Sequence, residues 1–223
     1  MVGDAEEKEA GRRAHDRLQA EAFDRVADVF EQPLPEDVAR RTAAIVWEAE
    51  IAAGAAVLDV GTGTGVLIPY ILSRRPARVV ACDLSLQMLS RARRRFGERV
   101  AFLQADVVDL PSEVVPFDFV FCNAVFGNFY DEGLALAAMN RLLGSGGRLI
   151  ISHPMGRGFV AELRRKDPEL VRRELPTRDQ AEELLRRHGL RLVKFRDEEE
   201  FYLAVATKAE AVPGYEPPAG RRA

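Results

Sequence analysis

The chain has 223 residues, and 32 lysines and arginines against 35 aspartates and glutamates give it a formal net charge of −3. Two cysteines in this length exclude a disulfide-stapled secreted fold, and no apolar run approaches the roughly 18 residues of a membrane span. The mildly acidic balance gives no support to a nucleic-acid partner, and the charged residues 1–17 contain no apolar signal core. We therefore expect a cytoplasmic protein with neither a membrane nor a nucleic-acid partner, while the composition leaves the oligomeric state open.

The N-terminal flank changes character at Leu18. Residues 1–17 are polar and predict a loose, frayed helix, and apolar residues at helical spacing follow: Leu18, Ala22, Val26 and Val29, flanked by Phe23 and Phe30. Pro33 and Pro35 break this helix, and a second helix is predicted from Glu36 to Ala53.

Three segments follow from these patterns. Residues 1–53 form a helical extension, residues 54–208 a main domain, and residues 209–223 a flexible tail. The tail is predicted because prolines and glycines crowd the stretch Val212–Ala223.

The main domain alternates short β-like runs with helical ones. The predicted strands are Ala56–Val60, Arg78–Cys82, Val100–Gln104, Phe117–Cys122, Arg148–Ser152, Arg191–Phe195 and Phe201–Ala206. The predicted helices between them are Gly65–Ser73, Leu86–Phe96, Glu132–Leu143 and Arg178–His188. This alternation predicts an α/β fold, a doubly wound and mostly parallel sheet with helices on both faces. The last two strands have no helix between them, so they should form an antiparallel hairpin.

A glycine-rich loop follows the first predicted strand, in the stretch Val57-Leu58-Asp59-Val60-Gly61-Thr62-Gly63-Thr64-Gly65. Alternate glycines allow a ligand to lie against the backbone, and loop amides and a helix N-terminus can point at it. A standard dinucleotide fingerprint would need glycine where Val66 stands, and the Gly-Lys-Ser/Thr of a P-loop is absent.

Two acids follow the next two strands. Asp83 ends the second strand, where an acid can accept hydrogen bonds from both hydroxyls of a ribose. Asp106 follows the third strand, where the amino group of a base would lie. Either acid alone is compatible with a helix cap or a solvated turn. Together with the glycine loop they predict a nucleoside site.

These residues resemble the class I S-adenosylmethionine-dependent methyltransferases. Val57–Gly65 resembles the first motif of that family, Ala81–Leu84 the second and Gln104–Val107 the adenine-side motif. Phe117–Asn123 resembles the strand-four motif, and Leu142–Ile151 the turn into strand five. The resemblance implies a seven-stranded sheet in the order 3-2-1-4-5-7-6 and S-adenosyl-L-methionine as the cofactor.

The resemblance also implies a role for each matching residue. Gly61, Thr62, Gly63 and Gly65 would approach the methionine part, and Asp59 would help to orient its ammonium group. The ribose would bind to Asp83, and Asp106 would accept from the adenine amino group. The remaining implied cofactor contacts are Leu84, Val107 and Asn123.

The acceptor should lie beyond strands four and five, under a lid formed by the N-terminal helices. The candidates there are Asn123, Phe126, Asn128, Phe129, Tyr130 and His153. His153 and Tyr130 are the candidate catalytic residues, although a structural histidine and core-packed aromatics are equally compatible with the pattern. The chain lacks the Asn-Pro-Pro-Tyr motif of many methyltransferases that act on planar amines.

Three other features have plain interpretations. The arginines at 91 and 93–95 are expected on a solvated helix surface, where the helix dipole favours cations. Cys82 and Cys122 should be separated by the first strand, beyond disulfide reach, and no metal site is predicted. Residues 153–177 could be an acceptor-specific insertion in which Arg157 or Arg164 meets an anionic group, or a lid without a substrate role.

Methyl transfer to a small-molecule acceptor is the leading hypothesis from the sequence. The alternatives are methylation of a protein or RNA, and a non-catalytic nucleoside-binding protein of the same fold.

Overall fold

The computed structural model describes residues 2–31, 33–111 and 116–208, so the predicted tail from residue 209 lies outside the described residues. The helices are α1 (Val2–Glu31), α2 (Glu36–Glu48), α3 (Ile68–Ser73), α4 (Leu86–Phe96), α5 (Glu132–Leu142), α6 (Gly156–Lys166) and α7 (Arg178–Arg187). The strands are β1 (Ala56–Val60), β2 (Arg78–Asp83), β3 (Ala101–Gln104), β4 (Phe117–Asn123), β5 (Leu143–His153), β6 (Leu190–Glu198) and β7 (Phe201–Lys208).

The seven strands form one sheet in the order β3-β2-β1-β4-β5-β7-β6. Strands β1 to β5 are parallel, and β7 runs antiparallel to both β5 and β6. The predicted fold class, strand order and terminal hairpin are confirmed. Val60 of β1 pairs with Cys82 on one side and Cys122 on the other, so the first strand separates the two buried, free cysteines.

Each face of the sheet is covered by helices. One apolar cluster contains Ile45 of α2, Ile71 of α3 and Phe96 of α4. The opposite cluster contains Met139 of α5 and Leu185 of α7. Because the central strands are buried on both faces, they read as nearly continuous apolar runs. Because strands β1 to β5 are parallel, their carboxyl ends meet at one edge of this three-layer core.

Backbone geometry explains two differences from the predicted helix boundaries. Helix α2 ends at Glu48 and not at Ala53, because Glu50 has a φ of +58°. Helix α3 begins at Ile68 and not at Gly65, whose φ is +83°. A right-handed helix cannot continue through either conformation.

Helix α1 differs most from the sequence prediction. The polar residues 2–17 are not frayed, because they form one continuous helix with the residues that follow. The predicted apolar stripe is also wrong, since Leu18, Val26 and Val29 are 38%, 39% and 71% exposed. The buried side of the helix carries Arg12, His15, Gln19 and Ala27. Its N-terminal half thus presents a polar face to the rest of the protein.

Ionic contacts dock the C-terminal half of α1 on α4. The Arg91 side chain is only 11% exposed and pairs with Asp28 and Glu31 of α1. The Thr64 hydroxyl in the glycine loop donates to the Phe30 carbonyl at 2.8 Å. The expectation of a purely solvated arginine surface is therefore wrong for Arg91, which holds two helices together.

Among the described residues, no helix combines the length and the apolar character needed to cross a membrane.

Candidate cofactor and acceptor site

A cavity of about 160 Å³ lies between α1 and the carboxyl ends of the strands. Its walls come from α1, the glycine loop and the segments after β2, β3 and β4. The lining residues are His15, Asp16, Gln19, Phe23, Phe30, Gly61, Thr62, Gly63, Thr64, Val66, Asp83, Leu84, Met88, Asp106, Asn123, Ala124, Val125, Asn128, Phe129 and Tyr130. One enclosure thus unites the glycine loop, both predicted nucleoside acids and an aromatic wall.

The glycine loop combines tight packing at its ends with open space at its centre. A Cβ atom on Gly61 would lie 2.6 Å from a Val125 methyl, and one on Gly65 would lie 2.6 Å from the Phe96 ring. A Cβ on Gly63, whose φ is +56°, would meet no protein atom within 4 Å. Gly63 therefore leaves open space at the wall of the cavity, whereas Gly65 serves helix packing and does not line it.

The Asp83 carboxylate is held by backbone amides at the cavity wall. One oxygen accepts from the Gly63 amide and the other from the Ser85 amide, both at 2.8 Å. Burial raises the pKa of Asp83, and the backbone hydrogen bonds oppose that shift. Both oxygens keep a further lone pair, so the carboxylate is oriented and able to accept from hydroxyl groups.

Asp59 lies behind the loop and does not line the cavity. It is buried, and the Thr62 hydroxyl donates to it at 2.6 Å. Burial raises the pKa of Asp59 to about 7. The structure therefore shows Asp59 in contact with Thr62, which itself lines the cavity.

Asp106 lines the cavity at the end of β3 and is engaged on both oxygens. One oxygen accepts from the Val108 amide at 3.1 Å, and the other accepts from Arg12 at 2.7 Å. Val107 next to it is buried in the apolar core and does not line the cavity.

Asn123 ends β4 beside a strained turn. Its side-chain oxygen accepts from the Ser152 hydroxyl at 3.0 Å, and the Ala124 amide donates to the Ser152 carbonyl at 2.8 Å. Ala124 has a φ of +56°, which is uncommon for a residue other than glycine. Such strain persists where the surroundings enforce it, here at the cavity wall.

The aromatic candidates after β4 divide into two groups. Phe129 and Tyr130 line the cavity, whereas Phe126 is buried in the core and packs edge-on against Phe129. Phe23 and Phe30 complete the aromatic wall from α1. Phe126 therefore packs in the core. The other four aromatic residues, Phe23, Phe30, Phe129 and Tyr130, face the cavity.

His153 is outside this site. It is buried at the end of β5, its Nδ1 accepts from the Met155 amide at 3.1 Å, and its ring packs against Phe159. Burial lowers its pKa to about 4. These are the contacts of a structural histidine, and the structure does not bring His153 to the cavity with Tyr130.

The polar residues of α1 were missed by the sequence analysis. His15 hydrogen-bonds through Nε2 to the Asn128 carbonyl at 2.7 Å, and Asn128 donates to Gln19 at 3.1 Å. Asp16 and His15 both line the cavity. Their helical spacing with Arg12 was visible in the sequence, but a polar stripe is ordinarily the solvent face of a helix.

The arginines proposed for an anionic group in residues 153–177 are paired. Arg157 lies 2.8 Å from Asp197, and Arg164 lies 3.1 Å from Glu174. Within the described parts of the chain, no group of three or more His, Cys, Asp and Glu side chains is placed to hold a metal ion.

Comparison with known proteins finds similarity to methyltransferases. The family model described as "Methyltransferase domain" matches residues 58–151. A demethylmenaquinone methyltransferase from Thermus thermophilus is 41% identical over 99 residues, which cover 43% of this chain and 45% of that protein. The chain spans about half the length of the curated relatives it matches.

Solved structures give the same result for the fold. The structure of a Burkholderia thailandensis 1,6-didemethyltoxoflavin-N1-methyltransferase, with bound 1,6-didemethyltoxoflavin and S-adenosylhomocysteine, is 25% identical with a TM-score of 0.61. The match covers 78% of this chain and 79% of that one. A chain of the complex that contains the Haloferax volcanii Trm112 methyltransferase activator has a TM-score of 0.73 at 18% identity, covering 84% and 98%.

Residues 58–151 are thus similar to a methyltransferase domain, and the fold is shared with solved methyltransferase structures. The Burkholderia structure contains S-adenosylhomocysteine, the demethylated product of S-adenosylmethionine.

Proposed function

We propose that this protein transfers the methyl group of S-adenosylmethionine to a small-molecule acceptor by in-line displacement. The observation that carries the proposal is the single cavity that joins the glycine loop and two nucleoside-type acids to an aromatic wall. The cytoplasmic location stays a prediction, as does the division into an N-terminal lid and a catalytic domain.

Three successive strand ends carry residues suited to bind the cofactor. The open space at Gly63 suits a ligand that lies against the backbone, and Asp83 is oriented to accept from the ribose hydroxyls. Asp106 is the acceptor for the adenine amino group, with Leu84 packed against the base. Gly61, Thr62 and Asn123 line the remaining wall toward the methionine part. Asp59 supports Thr62 from behind this wall, and Gly65 and Val107 do not line the cavity.

The aromatic wall favours a planar, largely apolar acceptor. Phe23, Phe30, Phe129 and Tyr130 present ring surface to the cavity, and Arg172 stacks over the Tyr130 ring at 4.9 Å. The curated relative acts, by its name, on demethylmenaquinone, and the Burkholderia enzyme holds a heteroaromatic ligand. We take both as support for a ring-shaped acceptor, with Tyr130 as the candidate to contact it, and propose no catalytic role for His153.

Helix α1 must move during the reaction. The cavity of about 160 Å³ is smaller than the roughly 300–1,000 Å³ typical of small-molecule sites. The cofactor and an acceptor together need more room, so we interpret α1 as a lid. On this interpretation α1 opens and closes over the cavity and is not a helix docked permanently on the sheet.

The protein's task in this chemistry is mainly positioning. The bound sulfonium supplies an activated methyl group, so the protein has to hold the acceptor in line and exclude water. A general base is needed only where the acceptor arrives protonated.

A turnover assay with methyl-labelled S-adenosylmethionine and a fractionated small-metabolite extract tests the proposal. We expect release of S-adenosylhomocysteine and label in a low-molecular-weight product. Label in added protein or RNA would favour the macromolecular alternative. Cofactor binding by calorimetry without turnover in any fraction would favour a non-catalytic nucleoside-binding protein.

A further inference from the structure

Arg12 joins the lid helix to the adenine side of the cavity. Its side chain is 4% exposed, and its guanidinium group contacts four carboxylates. Two belong to α1 itself, Glu9 and Asp16, and two follow β3, Asp106 and Asp109. The residues that recognise the base and the residues of the lid therefore share one cation.

The hydrogens of Arg12 do not satisfy all of these acceptors. Its Nη1 carries two hydrogens, yet it lies 2.7 Å from Asp106, 3.0 Å from Asp109 and 3.2 Å from Asp16. Asp16 has the longest of the three contacts. Among the described residues it is also the only hydrogen bond to the Asp16 side chain. Asp16 is thus the acceptor left least satisfied.

Asp16 is shielded from solvent but faces the cavity. Its side chain is 18% exposed, and it lines the cavity together with Asp106. Burial, followed by the nearby Asp106 carboxylate, raises the pKa of Asp16 to about 7. A partly buried carboxylate with free lone pairs is stabilised by any donor that a ligand brings.

The position of Asp16 matches the second hydrogen of an amino group. Asp16 and Asp106 both line the cavity, and both lie within hydrogen-bond distance of the same Arg12 nitrogen, so the two carboxylates are close enough together to share one amino group of a ligand. An adenine amino group carries two N–H donors, as a side-chain amide does. Asp106 would accept one donor and leave the other without a partner from the β3 side.

We propose that Asp16 is a second acceptor for the adenine amino group of the cofactor, supplied by the lid helix. The proposal rests on the proposed function, because it assumes the adenine at Asp106. Closing of α1 then depends on the identity of the base. A nucleoside with a 6-oxo group would bring an acceptor against two carboxylates and be rejected.

The proposal predicts a pH dependence of cofactor binding. The charged groups that face Asp16 are Arg12 and Glu9 on its own helix and Asp106 and Asp109 from the turn after β3. Asp16 accepts fully only when ionised, so affinity for S-adenosylhomocysteine should rise between pH 6 and 8, around the pKa of about 7. A protonated Asp16 that donates to a ring nitrogen would give the opposite trend.

Calorimetry with S-adenosylhomocysteine and S-inosylhomocysteine tests the assignment on the whole chain. For Asp16→Asn we expect affinity for S-adenosylhomocysteine to fall about tenfold, as for a lost hydrogen bond to a charged group. The asparagine amide can donate to a 6-oxo group, so this variant should bind S-inosylhomocysteine more tightly than wild type does. The rise in affinity with pH should disappear.

Glu9→Gln is the matched control. Glu9 lies two turns earlier on α1 and shares Arg12, but it does not line the cavity. It should change the ratio of the two affinities less than about twofold, within ordinary surface effects. Asp16→Ala, checked by thermal melting, replaces Asp16→Asn if that variant does not fold.

The outcomes separate the two proposals. If wild type binds S-adenosylhomocysteine and the Asp16 variants keep its preference for adenine over hypoxanthine, the assignment of Asp16 is wrong and the function stands. An equal loss of the preference for adenine in Glu9→Gln would show that the effect passes through Arg12. That result would also overturn the assignment of Asp16. If wild type does not bind S-adenosylhomocysteine, the proposed function itself fails.

Discussion

The Gly63 amide donates a 2.8 Å hydrogen bond to the Asp83 carboxylate, joining the loop after β1 to the end of β2. The contact spans 20 positions in the chain and fixes the carboxylate at the cavity wall. The same loop carries the open space at Gly63. The open part of the cavity wall and the acid proposed to bind the ribose are therefore held together by this contact.

Asp83→Ala should weaken binding of S-adenosylhomocysteine by on the order of 1.5–3 kcal/mol, the range for hydrogen bonds to charged groups. The reason is the loss of the ribose acceptor. Isothermal titration calorimetry measures the change. Asp118→Ala is the control, because Asp118 caps the Ala56 amide at the opposite end of the strands. Unchanged affinity in Asp83→Ala would remove the ribose assignment.

Gly63→Val should abolish cofactor binding while the protein stays folded, because the branched side chain would fill ligand space. Gly97→Val separates this effect from backbone strain. Gly97 has a φ of +57°, close to the +56° of Gly63, and an added Cβ there also meets no atom within 4 Å. Both variants should lose stability because a branched residue is strained at positive φ, and at Gly97 the ψ of −137° lies outside the left-handed helical region as well.

Circular dichroism and a titration with S-adenosylhomocysteine distinguish the two glycine variants. Only Gly63→Val should lose binding. Wild-type affinity in Gly63→Val would mean that the loop is merely a turn, and loss of binding in both variants would point to destabilisation.

The sheet was predictable because its information is local. Strands such as β1 and β4 are mostly apolar runs interrupted by one aspartate each, and the polar residues and glycines at their ends follow directly in sequence. The strand order came from resemblance to a family. Boundaries were missed where a single conformation ends an element, as Glu50 does after α2.

The α1 side of the site was not predictable in the same way. Arg12 meets Asp106 across 94 positions, and such a pairing leaves no periodic signal. Hydrophobic spacing selected Leu18 and Val29, yet the helix buries polar groups that are matched by charges elsewhere in the chain. The position of Asp16 and His15 at the cavity wall follows only from the way α1 packs against the rest of the chain.

Lid motion predicts a ligand effect on amide exchange. Hydrogen exchange in residues 18–31 should slow markedly when S-adenosylhomocysteine is added, because the ligand favours the closed helix. Peptides from β1 and β4 in the core serve as the internal reference. Equal exchange with and without the ligand would support a permanently docked helix.

Arg91→Ala should loosen the lid, because Arg91 pairs with both Asp28 and Glu31 of α1. Ion pairs near the surface contribute modestly to stability, so exchange in α1 should accelerate by up to about fivefold. Arg93→Ala is the control, since Arg93 lies on the same helix but packs over Phe102. Similar acceleration in both variants would mean that α4 itself had been disturbed. High salt should reproduce the Arg91→Ala effect in wild type.

His153 predicts how stability depends on acid. Burial lowers its pKa from 6.5 to about 4, so the unfolded chain binds a proton there more readily than the native protein. Its contribution is therefore complete above pH 6.5 and is lost as the pH falls toward 4. The loss can reach on the order of 3 kcal/mol, given about 1.36 kcal/mol per pKa unit.

Urea unfolding of wild type and His153→Asn between pH 4 and 7 measures this loss. Asparagine offers an oxygen to the Met155 amide, which donates to Nδ1 in wild type, but it does not titrate. We expect wild type to lose stability relative to His153→Asn as the pH falls. Asp16, whose pKa is raised, changes stability in the opposite sense, but it is present in both proteins and cancels in the difference. His188→Asn, at a less buried histidine, should show a smaller change. Parallel pH profiles for wild type and His153→Asn would show that His153 titrates normally and is more accessible than its packing against Phe159 indicates.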